Sequence, residues 1–199
     1  MKQLAVLLLL ALPLRAADVE VGIHHVATMM TGDGTYDGAE LEVELSRGFA
    51  ASAEVFFSER VSTQLSATFI NPVAVINPGD VDLNTISLDI YALSGRWHFA
   101  PEARLSGFAG GGVAFVSLGN LEERFDDRIE IEFNPETTFL VEAGLRYRFR
   151  PRIIFTGSLT YMPLEAESIV VRDGRPDVPL PSRVSLDPVT VSVGAAWRF

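Results

Sequence analysis

The 199-residue chain contains no cysteine and only three histidines, His24, His25 and His98. Without cysteine it cannot form a disulfide, a thiolate metal site or a thiol nucleophile. No apolar run reaches the ~20 residues that a membrane-spanning helix needs. Basic residues are scarce as well: 16 Lys and Arg face 26 Asp and Glu and form no basic patch, which argues against a nucleic-acid partner.

The N-terminal segment has the pattern of a secretory signal peptide. A positive charge precedes an apolar run over residues 4–12, which is too short for a membrane anchor, and small residues follow it. We predict cleavage after Ala16 or Ala17, so that residues 1–17 are removed and residues 18–199 form a single domain. Cleavage leaves 14 arginines against 26 acidic residues, a formal charge of −12.

The C-terminal segment, residues 189–199, alternates apolar residues with small or polar ones and contains no turn residue. This period of two is typical of a β-strand with one apolar face. Its length matches the ~9–11 residues with which a tilted strand crosses a bilayer. Similar segments predict eight strands in all, over residues 19–29, 41–57, 61–69, 86–99, 104–116, 138–149, 153–162 and 189–199.

The connections between these segments fall into two classes. Three are short turns at 58–60, 100–102 and 150–152. The other four are predicted loops at 31–38, 71–85, 118–136 and 167–188. Short turns at one end and long loops at the other are typical of outer-membrane barrels, and a bilayer tolerates a sheet only when it is closed. We therefore predict an all-β, eight-stranded antiparallel transmembrane β-barrel in the bacterial outer membrane, with both termini periplasmic.

Aromatic residues recur at one end of these strands. Such rings collect at the level of the lipid headgroups as a girdle. The C-terminal phenylalanine also resembles the assembly signal of outer-membrane proteins, which implies the outer-membrane assembly machinery as a partner. The predicted girdle and assembly signal comprise Phe57, Trp97, Phe99, Tyr147, Phe149, Trp197 and Phe199.

The even-numbered positions of most strands are predicted to face the lumen. Mixed charges in a narrow barrel predict structural salt bridges, and eight strands leave room only for side chains or one small ligand, which excludes a wide porin. The predicted lumen-lining residues are Glu42, Glu54, Arg96, Arg104, Phe108, Leu140, Glu142, Arg146, Arg148, Ile154, Met162 and Arg198.

Two strands leave their phase open. In the first, His25 shares a face with apolar Val21 and Ile23. In the fourth, the apolar positions change from even at Ile86, Leu88 and Ile90 to odd from Leu93 onward, which predicts either a bulge near Tyr91 or an apolar lumen there.

The order of these features resembles the OmpW family of small outer-membrane barrels over residues 18–199. The more specific points are the glycine-alternating stretch 108–115 and the Ser-Leu-Asp-Pro-Val sequence at 185–189. The resemblance implies a narrow eight-stranded barrel that lets small hydrophobic molecules cross the outer leaflet.

The function that we predict is a narrow passage or binding site for small hydrophobic molecules. One alternative is a structural or adhesive barrel that acts through its outer loops. A weaker alternative is a lipid-modifying enzyme, because no histidine is expected beside a serine on the lumen face. We predict no catalytic, cofactor or metal site, and lipid and lipopolysaccharide as partners. The acidic stretch 118–136 is either a solvated loop or a divalent-ion bridge to lipopolysaccharide.

Overall fold

The computed structural model describes residues 18–31, 35–36, 39–40, 42–43, 45–77, 81–119, 121–122, 129–172, 175–176 and 182–199. The predicted signal peptide, residues 1–17, lies outside the described residues. Within the described ranges, no helix is long and apolar enough to cross a membrane.

The described chain is built from β-strands. In chain order they are β1 (Val19–Met30), β2 (Thr35–Tyr36), β3 (Ala39–Glu40), β4 (Glu42–Val43), β5 (Ser46–Phe56), β6 (Val61–Asn77), β7 (Val81–Phe99), β8 (Leu105–Leu118), β9 (Leu121–Glu122), β10 (Ile129–Phe133), β11 (Glu136–Arg150), β12 (Ile153–Tyr161), β13 (Glu165–Arg172), β14 (Arg175–Pro176), β15 (Ser182–Ser185) and β16 (Pro188–Arg198).

Eight of these strands close into a barrel in the order β1, β5, β6, β7, β8, β11, β12 and β16. Every neighbouring pair is antiparallel. The seam between the first and last strands runs from Glu20 opposite Arg198 to Met30 opposite Pro188. The prediction of an eight-stranded antiparallel barrel is therefore confirmed.

The two ends of the barrel differ. The connections at 57–60, 100–104 and 151–152 are short, and both Asp18 and Phe199 lie at this same end, which we call the turn end. We call the opposite end the loop end. The amide of Phe199 donates a hydrogen bond to the carbonyl of Val19 over 2.9 Å, which completes the seam at the turn end.

The predicted loop at 71–85 was wrong, because β6 continues to Asn77 and β7 begins at Val81. The two Asn-Pro pairs indicated a turn, but a proline is tolerated in a sheet where the ladder is irregular. The register between β6 and β7 shifts between Ile70 and Val73, on either side of Pro72, and the pairing then resumes.

The other three predicted loops contain strands as well. The stretch 31–38 includes β2, which pairs with β3. The stretch 118–136 includes β9 and β10, and the stretch 167–188 includes β14, β15 and most of β13. These five strands form a separate sheet beyond the loop end. Short strands joined by turn-rich sequence carry too few alternating residues to stand out from a loop.

The phase of both ambiguous strands follows from the burial pattern. In β1 the side chains of Val21, Ile23 and His25 face outward. In β7 the pairing with β6 is regular past Tyr91, so no bulge lies there. Leu88 is fully buried, and the alternative of an apolar lumen in this strand is confirmed.

Candidate functional site

A network of charged side chains fills the interior from the turn end to about its middle. Arg96 on β7 makes a two-pronged contact with Glu142 on β11, with Nε to Oε1 at 2.8 Å and Nη2 to Oε2 at 2.5 Å. Its Nη1 donates to Glu54 Oε2 on β5 at 3.3 Å. Such fork-shaped contacts are the strongest and most directional that arginine makes. Arg96 therefore links three strands across the lumen.

A second group, nearer the mouth, continues this network. Arg146 Nη2 lies 2.5 Å from both carboxylate oxygens of Glu20. Arg198 donates from Nε to Glu20 Oε1 at 2.7 Å and is 3.6 Å from Asp18. Three glutamates balance three arginines in formal charge, and a histidine lies between them. We call these residues the ionic network: Glu20, Glu54, Glu142, Arg96, Arg146, Arg198 and His98.

His98 joins the two groups and contradicts one prediction. Its Nε2 is 2.8 Å from Ser62 Oγ and 3.0 Å from Glu54 Oε1, so a histidine does lie beside a serine in the lumen. The His24 Nε2 atom likewise lies 2.9 Å from Ser52 Oγ. Both contacts cross between strands, and the sequence order of single strands does not reveal them.

The geometry around His98 does not activate Ser62. Arg146 Nη1 is 3.3 Å from His98 Nδ1, and because arginine can only donate, Nδ1 accepts and the ring proton lies on Nε2. Ser62 Oγ itself donates to Glu54 Oε1 over 2.5 Å. His98 therefore has no free lone pair to take the Ser62 proton, and a nucleophile needs such a base.

Phe108 packs beneath the ionic network. Its ring centroid is 4.3 Å from Arg96 Cζ. The ring occupies the space above Gly144, where an added Cβ would lie 2.5 Å from Phe108 Cζ. Gly144 therefore leaves the space that the Phe108 ring occupies beside the Arg96 guanidinium.

Two cavities flank the network. The cavity at the turn end has a volume of about 800 Å³ and is lined by residues including Arg146 and Arg198. The cavity above the network is much smaller, about 80 Å³. Ser and Thr hydroxyls line it together with His24, and so do apolar side chains such as those of Ile90, Leu140 and Met162. The network therefore separates an open mouth from a small chamber with a mixed polar and apolar lining.

The loop half of the interior holds a cluster of buried apolar side chains. Its members come from five of the eight barrel strands and from the segment after β12. Ala50, Leu118 and Leu186 pack against it from the sides. We define the apolar cluster by its buried members: Val26, Ile70, Leu88, Ile90, Ala92, Ala114, Val116, Leu140, Met162 and Leu164.

The predicted lumen residues divide between these regions. Glu54, Arg96, Glu142, Arg146 and Arg198 belong to the ionic network.

Phe108 and Ile154 are buried in the turn half, whereas Leu140 and Met162 are buried in the apolar cluster. Arg148 is half-buried and donates from Nη2 to the carbonyl of Pro101 at 2.8 Å.

Arg104 and Glu42 differ from the other predicted lumen residues. Arg104 follows the turn before β8, is exposed, and lies over the ring of Tyr147 at the mouth rather than inside the barrel. The alternation of a strand predicted that Arg104 faces the lumen, but this alternation does not apply to Arg104 because β8 begins at Leu105. Glu42 lies in β4, where the structure describes the backbone, and its side chain lies outside the described part.

The predicted girdle residues all face outward. Phe57, Trp97 and Phe99 are about half exposed, and Phe199 is 74% exposed. The remaining members are also exposed on the barrel surface: Tyr147, Phe149 and Trp197.

Several interior residues were not predicted. Ser62, Gln64 and His98 occupy even positions of β6 and β7, on the face that the alternation assigned to the lumen. Glu20 is buried in β1, whose phase the sequence left open. The alternation therefore contained the signal for these positions, but not the pairing that brings them together.

The Asp-Pro corner before β16 ties three strands at the loop end. Asp187 has a positive φ of 33°, and its Oδ1 accepts a hydrogen bond from the Leu164 amide at 3.1 Å. Its carbonyl accepts from Thr31 Oγ1 at 2.8 Å. The sequence feature that resembled a family motif is therefore a structural corner.

Solved outer-membrane barrels share this fold. OprG from Pseudomonas aeruginosa has a TM-score of 0.74 at 15% identity, over 92% of this chain and 96% of that one. AlkL in DMPC bilayers has a TM-score of 0.65 at 16% identity, over 92% and 90%. Escherichia coli outer membrane protein W has 0.57 at 14%, over 92% and 98%. At these identities the likeness shows the fold.

Sequence comparison gives the family. No curated protein matches the chain. A model of the OmpW family matches residues 11–199, which includes every barrel strand and the Asp-Pro corner. The resemblance seen in the sequence is thereby confirmed, and the chain belongs to the OmpW family of outer-membrane barrels.

Proposed function

We propose that the barrel captures small apolar molecules at its loop end and lets them cross the outer leaflet of the outer membrane. The observation that carries this proposal is the apolar cluster. A barrel interior that served only to hold the wall together could be filled by paired charges, as the turn half is. Apolar lining in a narrow space disfavours water and offers an apolar solute a surface to contact.

The ionic network supports a passage that excludes polar solutes. Glu54, Arg96 and Glu142 satisfy one another across the lumen, so an ion or sugar would have to break buried charge contacts to pass. Removing one partner of such a contact leaves an uncompensated buried charge, which is strongly unfavourable. The network thus acts as a seal towards the turn end.

We infer the orientation from the two ends of the barrel. The short turns and both termini would face the periplasm, and the five-stranded sheet beyond the loop end would face outside, as is usual in outer-membrane barrels. Lipopolysaccharide would then surround the loop end. Phe199, exposed beside the seam, would be read by the outer-membrane assembly machinery, so its deletion should impair insertion and leave export intact.

The test is uptake into proteoliposomes of a small hydrophobic solute and a hydrophilic one of similar size. The variant Val26→Thr with Val116→Thr replaces two methyl groups in the apolar cluster by hydroxyls at constant volume. It should lower uptake of the hydrophobic solute several-fold. The matched control Val113→Thr with Val191→Thr makes the same change on the lipid-facing surface, where both valines are exposed, and should behave like the wild type.

Equal rates for both solutes, or no uptake above protein-free vesicles, would contradict the proposal. They would favour the alternative that the protein is a structural or adhesive barrel. The five-stranded sheet beyond the loop end is the observation that supports that alternative, because it forms an ordered surface outside the wall. A lipid-modifying activity is less well supported. Ser62 lacks an available base, and the ring of His24 beside Ser52 is contacted at Nδ1 by the Thr156 hydroxyl, 3.4 Å away, and not by an orienting carboxylate.

A further inference from the structure

Arginines are concentrated on one side of the turn end. Arg104 precedes β8, Arg148 and Arg150 end β11, and Arg152 lies in the turn to β12. These strands are neighbours in the order β8, β11, β12. Among the described residues, none of the four forms an ion pair with a carboxylate. Glu102 is the acidic residue of the same turns, so this side of the rim carries an excess of positive charge.

Two of these guanidinium groups lie over rings of the outward-facing girdle. Arg104 Cζ is 5.0 Å from the centroid of the Tyr147 ring, and Arg150 Cζ is 5.5 Å from that of Phe149. Cation–π contacts at such distances favour a defined position for the cation. Because girdle aromatics lie at the headgroup level, both charges are placed where a lipid phosphate would be.

The side chain of Arg148, which lies between Arg104 and Arg150, contacts the backbone of a turn and not an aromatic ring. Its Nη2 donates to the Pro101 carbonyl at 2.8 Å, which joins the turn before β8 to the end of β11. Its amide donates to the carbonyl of Arg104 at 2.8 Å, so the two backbones are held side by side. Arg148 thus positions the rim, while Arg104 and Arg150 remain exposed.

The wall beneath this pair is apolar. Leu105, Leu145 and Phe155 are exposed on the same strands, and each lies on the membrane side of the arginines. Gly107 leaves a shallow depression among them: a Cβ there would lie 3.8 Å from Phe99 Cδ2 and 3.9 Å from Leu145 Cδ2. An acyl chain can lie along this surface below a headgroup held at the rim.

We propose that the surface formed by Arg104, Arg150 and the apolar wall below them binds an anionic phospholipid in the leaflet at the turn end. The two guanidiniums would donate to the phosphate oxygens, a geometry to which the guanidinium fork is suited. Charge complementarity selects the lipid, because a zwitterionic headgroup would also bring a cation to this positive rim. A soluble protein partner fits less well, since both arginines are held against membrane-facing rings.

The experiment uses the full mature chain in nanodiscs that contain equal amounts of phosphatidylglycerol and phosphatidylcholine. Native mass spectrometry of the released protein counts the lipids that stay bound. The wild type should retain phosphatidylglycerol preferentially. The variant Arg104→Gln with Arg150→Gln should lower that retention by roughly fivefold per arginine, since each basic side chain near an anionic surface contributes a factor of about that size.

Matched variants distinguish binding at this site from a general effect of positive charge on lipid retention. Arg47→Gln with Arg60→Gln removes the same charge from two other exposed positions and should retain the lipid like the wild type. Arg104→Lys with Arg150→Lys keeps the charge without the fork and should retain an intermediate amount. Heat-modifiable migration on an SDS gel establishes that each variant is folded.

Three results would overturn the proposal. One is equal retention of the two lipids by the wild type. Another is an equal loss in the Arg47/Arg60 control, which would indicate a diffuse charge effect. The third is displacement of the lipid by millimolar inorganic phosphate, which would assign the arginines to a soluble anion in the turn-end cavity that they also line. Uptake of apolar solutes is not involved in any of these outcomes.

Discussion

In the turn half of the barrel interior, three glutamates pair with three arginines, all of them buried except the half-buried Arg198. In the loop half, ten apolar side chains pack together. Both halves lie within the same eight strands and follow the same alternation. The wall therefore does not determine what fills the lumen. The charged half depends on complete pairing of its partners, while the apolar half depends on volume.

The largest effect should come from removing one charge of the network. Arg96→Met leaves Glu54 and Glu142 buried without their shared guanidinium, which we expect to lower the free energy of unfolding by about 3–5 kcal/mol. The measurement is urea unfolding in lipid vesicles, followed by the fluorescence of Trp97 and Trp197.

The control for Arg96→Met is the removal of an arginine that lies outside the ionic network. Arg60→Met removes an exposed arginine from the turn before β6 and should change the free energy of unfolding by less than about 0.5 kcal/mol. Combining Arg96→Met with Glu142→Leu should restore part of the loss, because both members of the closest pair are then absent. A double variant that is less stable than Arg96→Met would contradict the expectation that the charged half depends on complete pairing of its charges.

The apolar half should respond to volume instead. Leu88→Ala in the apolar cluster opens a cavity, and we expect it to lower the free energy of unfolding by about 2–4 kcal/mol. Leu93→Ala on the same strand changes a lipid-facing residue and should cost about 1 kcal/mol or less. The same urea titration compares them. Equal losses would mean that the cluster is not packed as a core.

The difference between the halves was only partly predictable from the sequence. Alternation placed Glu54, Arg96 and Glu142 on the lumen face, because a period of two assigns each side chain to one side of the sheet. It could not show that Arg96 bridges the other two, since that depends on the register of the five neighbouring strands from β5 to β11. Register is set by hydrophobic pattern and turn geometry together, over strands distant in sequence.

The apolar cluster was harder to predict for a different reason. Leu88 and Ile90 are even-numbered and apolar, so they appeared as a defect in a strand that was expected to place apolar residues outward. An apolar residue in a membrane barrel is compatible with either face, and alternation fails when both faces are apolar. Only the closed barrel shows that Leu140, Met162 and Val26 meet these two residues.

An intermediate effect is expected at Ser62, a neutral residue that donates a hydrogen bond to the ionic network. Ser62→Ala removes the hydroxyl that donates to Glu54 Oε1 and leaves His98 Nε2 beside that carboxylate. Hydrogen bonds to charged groups contribute more than neutral ones, so the expected loss is about 1.5–2 kcal/mol in the free energy of unfolding. Ser66→Ala on the same strand is the control. Identical values for the two serines would contradict a role of Ser62 in the network.

The smallest effect tests whether a neutral polar pair at the border of the apolar half behaves like a charged one. Thr28 Oγ1 and Thr190 Oγ1 are 2.9 Å apart and buried, on β1 and β16. Thr28→Val alone leaves one hydroxyl without its partner and should lower the free energy of unfolding by about 1 kcal/mol. Thr28→Val with Thr190→Val replaces both by groups of the same shape and should be nearly neutral. Urea unfolding of the wild type, both single variants and the double variant gives the coupling energy directly. If the double variant loses as much as the two single changes together, the hydroxyl pair is not an isolated contact, and the border between the halves lies further towards the loop end.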